Sequence, residues 1–306
     1  MKLYYADHFV LPLPEGHRFP MEKYARLRSR LLASGAFAEA DFCVPDAASD
    51  DAILRAHDPA YLQRVARGTL DAAEVRRIGF PWSPAMVERS RRSAGATLAA
   101  CRSALARDGG TACAVNLAGG THHAHRDFGS GFCVFNDAAI AALAMRAEGR
   151  VRRVAIVDCD VHQGDGTAAI LADDPEVFTC SLHGAKNFPF RKQTSDLDIE
   201  LPDETGDTAY LAALDEALQS VFERAQPELV IYLAGADPYA GDRLGRLALS
   251  IDGLRLRDER VLAACRDAGV PVAIAMAGGY AEPINDTVTI HVNTVTTAAR
   301  LLRDGA

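Results

Sequence analysis

Residues 158–166 read DCDVHQGDG, with three aspartates and one histidine directly after the apolar run 154–157. Alternate residues of an extended segment point the same way. Asp158, Asp160 and His162 can therefore share one face. Two carboxylates and an imidazole on one face disfavour each other unless a cation balances them. Aspartate and histidine suit zinc, with other divalent metals possible. A catalytic zinc takes three protein ligands and leaves a position for water. Asp160 and His162 would supply two, and Asp237, at another strand end, the third. The plainer alternative is a polar turn whose aspartates cap the next helix, and Asp165 reads that way or as support behind the ligands.

Two further stretches carry chemistry. In GGTHHAH, His122 and His123 are either a hydrogen-bonded core pair or two acid/base groups facing a metal. His125 and His183 read as structural, and His8, His17, His57 and His291 have no motif around them. In AGGY, Tyr280 follows two glycines. Its phenol could donate to an oxyanion in a pocket or pack on the sheet edge.

The elements that must position these groups alternate between helix and strand. Strands are expected at 2–5, 112–116, 154–157, 177–181, 229–234 and 271–275. Helices are expected at 21–33, 84–107, 136–148, 167–172, 208–225, 254–268 and 295–303. Ser83 followed by Pro84 suits a helix start, and Asn136 or Asp137 could cap the next one. Continuous apolar strands separated by helices point to a parallel sheet covered on both faces. In such sheets ligands bind at the carboxyl ends of the strands. Four of the five strand ends read here place Gly beside His, Asp or Tyr. The stretch 183–205 reads as one long irregular, and therefore functional, loop.

The composition is globular, with 49% hydrophobic and 24% charged residues. A net charge of −8 argues against general nucleic-acid binding. The seven cysteines form no CxxC pair, so they read as buried thiols of a reducing compartment. The N-terminal stretch MKLYYADHFVLPLP does not read as a signal peptide, and no apolar run is as long as a membrane span needs. The expectation is one domain, 1–306, in the cytoplasm, with no membrane or nucleic-acid partner.

Taken in order, HH, SGFCVFND, DCDVHQGDG, SLH, GAD and GGY resemble the zinc-dependent histone deacetylases, relatives of acetylpolyamine amidohydrolases and arginases. The resemblance spans nearly the whole chain. GHRFPMEKY and HGAKNFPFRK look like bacterial members near class IV. The resemblance implies the arginase/deacetylase fold, a single three-layer α/β domain with an open, mainly parallel sheet of about eight strands. It implies hydrolysis of an acyl-lysine amide, on a protein or peptide, or of an acylated small amine. Asp160, His162 and Asp237 would bind one Zn2+. His122 and His123 would exchange protons with water and the leaving amine, oriented by Asp158 and Asp165. Tyr280 would be the oxyanion donor. Gly131, Phe132 and Phe188 or Phe190 would line the acyl-lysine channel. K+ would lie near Asp158, Asp160, His162, Ser181 and Leu182. Arg18 aligns with an interior arginine below the site.

The chain departs from the pattern in lacking an identifiable rim aspartate, which class I members use to hold the substrate backbone. That puts histone substrates in doubt. An arginase-like site would need a second aspartate two residues after Asp237, where Tyr239 stands. An acetylpolyamine amidohydrolase would share the whole zinc site. A non-catalytic binding protein would have no use for the histidine pair and Tyr280.

Overall fold

The computed structural model describes residues 1–302. Eight strands form one sheet: β1 (Lys2–Tyr4), β2 (Phe42–Cys43), β3 (Cys113–Asn116), β4 (Val154–Asp158), β5 (Val177–Gly184), β6 (Leu197–Leu201), β7 (Leu229–Leu233) and β8 (Val272–Ala275). Their spatial order is β2-β1-β3-β8-β7-β4-β5-β6, and every pairing is parallel. The carboxyl ends of β3, β8, β7 and β4, four adjacent strands, therefore lie along one edge.

Among the described residues, ten α-helices cover the sheet: α1 (Glu22–Ala33), α2 (Asp50–Ile53), α3 (Pro59–Arg67), α4 (Ala72–Ile78), α5 (Pro84–Ala106), α6 (Asp137–Ala147), α7 (Asp165–Leu171), α8 (Asp207–Ala225), α9 (Ile251–Asp267) and α10 (Ile284–Leu302). Strand residues alternate between two cores. Ala155, Val157, Val230 and Tyr232 pack with α1, α8, α9 and α10. Val154, Ile156, Leu229 and Ile231 pack with α2, α3, α5, α6 and α7. This is the expected three-layer α/β architecture. The period-two alternation explains why both faces of every central strand are apolar. Six of the seven free thiols are buried. No described helix is long and apolar enough to cross a membrane.

Several elements differ from expectation. The last helix starts at Ile284 rather than residue 295, and the expected end at Arg303 lies outside the described residues. Its first turns, INDTVTIHVN, are rich in weak helix formers, but Thr287, His291 and Thr294 are buried and the packing overrides propensity. The short helices α3 and α4 are not among the expected elements, although their punctuation is legible. Asp58 caps α3 ahead of Pro59, Asp71 and Glu74 form a capping box on α4, and Gly68 and Gly79 end the two in left-handed conformation. The loop expected over 183–205 contains β6, an edge strand whose Leu197, Ile199 and Leu201 alternate with polar residues. Ser83 and Asn136 cap α5 and α6 as expected, accepting from the N–H of Met86 and Ala139.

Candidate active site

The strand ends converge on a cavity of about 480 Å³. The DCDVHQGDG segment leaves β4 with Asp158 still in the ladder, paired with Ser181 of β5 and Leu233 of β7. Asp160 and His162 follow on the turn, and Asp237 enters four residues beyond β7. One ligand atom from each of these three lies within 4.8 Å of the others. All three side chains are buried.

Their hydrogen bonds fix them from behind. Asp160 Oδ2 accepts from Gly278 N at 2.8 Å, and Asp237 Oδ1 accepts from Val161 N at 2.9 Å. Asp237 Oδ2 is buried and accepts no hydrogen bond. His162 Nδ1 lies 3.0 Å from Asp160 Oδ1 and 3.3 Å from Asp237 Oδ2. Burial, reinforced by the Asp160 charge, pushes Asp237 up to about 7. Burial alone would lower His162, but its hydrogen bond to Asp160 and the charges of Asp160 and Asp237 raise it to about 10. A crowded carboxylate pair with an unused inward oxygen and an imidazole beside it fits a divalent cation. Gly278 is required here: a Cβ would stand 2.0 Å from Asp237 Oδ2 and 2.6 Å from Asp160 Oδ2.

His122 and His123 stand beside this cluster. His122 Nδ1 donates to Asp158 Oδ2 at 2.7 Å, and His123 Nδ1 donates to Asp165 Oδ1 at 2.6 Å. Each imidazole is thus oriented by its own aspartate. Asp165 also accepts from His125 Nε2 at 3.0 Å, which gives His125 a place in the same network. Burial opposes charge on His122, but the Asp158 and Asp160 carboxylates outweigh it and raise it to about 9. Burial, then the neighbouring His122, lowers His123 to about 4. The two rings are thus pushed in opposite directions, His122 upward by its carboxylates and His123 downward by burial.

Tyr280 lines the cavity, and no described residue hydrogen-bonds its hydroxyl. Its backbone N–H donates to Asp242 Oδ2 at 2.6 Å. Gly131, Phe132 and Phe188 also line the cavity. Phe188 stands edge-on to His123 at 4.9 Å, whereas Phe190 is 87% exposed and belongs to the mouth. Phe132 is held at φ +66°, a strained conformation for a bulky residue. Bonds from Gly131 N and Phe132 N to the Arg77 and Ile78 carbonyls, at 3.0 and 2.7 Å, hold it there. At Gly131, φ +53°, a Cβ would stand 2.7 Å from His123 Cδ2.

Arg18 does not lie below the site. It is exposed at the mouth, 5.3 Å over the Phe132 ring. A buried cation beside Tyr280 is Lys23, which donates to the Ala277 and Gly279 carbonyls and lies 5.3 Å over the Tyr280 ring. No described carboxylate pairs with it.

Three supporting residues carry no site role in the sequence reading. Asp137 is fully buried and accepts from Gly120 N, Thr121 N, Thr121 Oγ1 and Thr97 Oγ1 at 2.6–3.0 Å, so it holds the loop that carries His122 and His123. Gln163 bonds Gln193 and Asp198, tying the ligand turn to the segment after Phe188. Arg257, fully buried against Asp258, donates to the carbonyls of Cys159 and Gly235, just before Asp160 and Asp237. In sequence these are an ordinary helix start, a turn glutamine and a charged helix face.

Residues 17–295 match the family model described as the histone deacetylase domain. An uncharacterized protein of Picosynechococcus is 45% identical over 287 residues, 94% of each chain. The histone deacetylase-like amidohydrolase of Pseudomonas aeruginosa is 34% identical, covering 89% of this chain and 74% of that one. An HDAC homologue from Aquifex aeolicus superimposes with a TM-score of 0.82 at 23% identity, over 97% of this chain and 83% of the other.

Proposed function

The chain belongs to the histone deacetylase family, and from that premise we propose that it is a zinc-dependent deacylase cleaving the side-chain amide of acyl-lysine in proteins or peptides. The observation that carries this reading is the meeting of the Asp160, His162 and Asp237 ligand atoms within 4.8 Å, beside two separately oriented histidines. Asp160, His162 and Asp237 would hold the metal. When bound, it would supply Lewis-acid polarisation and an acidified water. His123, neutral and facing the cavity, takes a proton from the attacking water. His122, cationic beside Asp158, supplies positive charge and a proton for the leaving amine. Tyr280 donates its hydroxyl to the developing oxyanion. Gly131, Phe132 and Phe188 enclose the aliphatic stem of the substrate and exclude water. A potassium ion would sit by Asp158, Asp160, His162, Ser181 and Leu182. The reading treats residues 1–306 as one catalytic domain of a cytoplasmic bacterial enzyme, consistent with its free thiols.

The test is a zinc-loaded activity panel of acetyl-lysine peptides, long-chain acyl-lysine peptides and acetylated polyamines, with Tyr280→Phe as the control. Chelator-sensitive hydrolysis of acyl-lysine peptides is expected. Activity confined to polyamines would replace the substrate assignment, and no chelator-sensitive hydrolysis of any substrate would refute the reading.

A further inference from the structure

The mouth of the cavity carries four cations, Arg18, Arg77, Lys186 and Arg246, all exposed. Among the described residues, the carboxylates lining the cavity are Asp160 and Asp237, at its floor. No described carboxylate bonds Arg18 or Arg77. Lys186 and Arg246 share a single one, Asp203, at 3.5 and 2.9 Å. Among the described residues that line the mouth or ion-pair with its cations, four cations thus meet one carboxylate, in a chain whose net charge is −8. The local sign of the mouth opposes the charge of the whole molecule.

These cations are attached to the channel walls. The Arg77 carbonyl accepts from Gly131 N at 3.0 Å. Arg18 lies between His17, which bonds the Gly79 carbonyl at 3.0 Å, and Phe19, in contact with Phe132. Asn187, beside Lys186, donates to the Leu244 carbonyl at 2.8 Å, joining the loop of Lys186 to that of Arg246. A substrate whose acylated amine reaches the floor must leave its remaining body among these groups.

We propose that the mouth selects substrates bearing negative charge on the part left outside the channel, specifically acyl-lysine within an acidic peptide stretch. This rests on the deacylase reading and narrows its substrate class. Acylated polyamines and basic tails would bring like charge to Arg18 and Arg77. Exposed ion pairs are individually weak, so two acidic flanking residues should improve binding by roughly tenfold over neutral ones at low salt.

The experiment uses acyl-lysine peptides identical except for aspartate, serine or lysine on either side of the acyl-lysine, together with an acetylated polyamine. kcat/KM is measured on the zinc-loaded chain at low salt and at about 0.5 M salt, where screening is strong. The expected order is acidic, neutral, basic, with differences that shrink in salt and an order that reverses in the Arg18→Glu/Arg77→Glu variant. Equal rates across the flanks, or a preference for lysine flanks or the polyamine, overturn the proposal. Binding of the same peptides, dye-labelled and followed by fluorescence anisotropy, gives a readout that does not depend on turnover. If no peptide is hydrolysed, the deacylase reading fails, and the order of affinities still decides this one.

Discussion

Replacing Asp137 by asparagine should disable the site without touching any group that faces substrate. The carboxylate is fully buried and accepts four hydrogen bonds, from Gly120 N (3.0 Å), Thr121 N (2.7 Å), Thr121 Oγ1 (2.8 Å) and Thr97 Oγ1 (2.6 Å). Asparagine keeps one accepting oxygen and turns an NH₂ toward the remaining donors. One backbone N–H is then left facing another donor, while the hydroxyls can rotate to other partners. Hydrogen bonds to a charged group contribute about 1.5–3 kcal/mol each, and a buried donor left unpaired costs about 1–3 kcal/mol. The expected loss is about 3–4 kcal/mol of stability. Part of the strain would be relieved by movement of the loop that carries His122 and His123. Equilibrium urea unfolding measures the first effect, and hydrolysis by the folded variant, at saturating metal, the second. Thr97→Val removes one donor while leaving the carboxylate, and should cost about 1–2 kcal/mol with His122 and His123 undisturbed. An Asp137→Asn protein within 1 kcal/mol of the wild type and equally active would refute the assignment of loop support to this carboxylate.

Three further outcomes are expected. Tyr280→Phe should retain metal and lose about 10²–10³ in kcat, the usual effect of removing one oxyanion donor; unchanged turnover would remove Tyr280 from the chemistry. Asp237→Ala should lose bound metal together with activity, as read by elemental analysis after dialysis; a full metal complement would exclude it as a ligand. His57 is buried and its Nε2 accepts from Asn136 N at 2.9 Å. Burial lowers it from 6.5 to about 4. Because the unfolded chain takes up this proton first, stability from His57 is complete above pH 6.5. It fades as pH falls toward 4, by about 3 kcal/mol in all. His57→Gln should therefore lose less stability between neutral and acidic pH in urea titrations; an identical slope would contradict this.

The sequence by itself determined the architecture and marked the candidate ligands. Apolar strands of period two, helices between them and polar residues at strand ends encode a parallel sheet with a site along one edge. Asp160 and His162 are legible because they are local, two residues apart on one strand exit. Tertiary structure decided what depends on distant segments meeting. Thr287, His291 and Thr294 join α10 because burial outweighs their weak helix propensity. Asp137 supports His122 and His123 because α6 starts beneath their loop. Lys23, 254 and 256 residues away in sequence from the carbonyls it bonds, becomes the cation under Tyr280. The sign of the mouth is likewise a property of the fold. Arg18, Arg77, Lys186 and Arg246 are scattered basic residues in an acidic chain. They meet only because four separate segments end at the same opening.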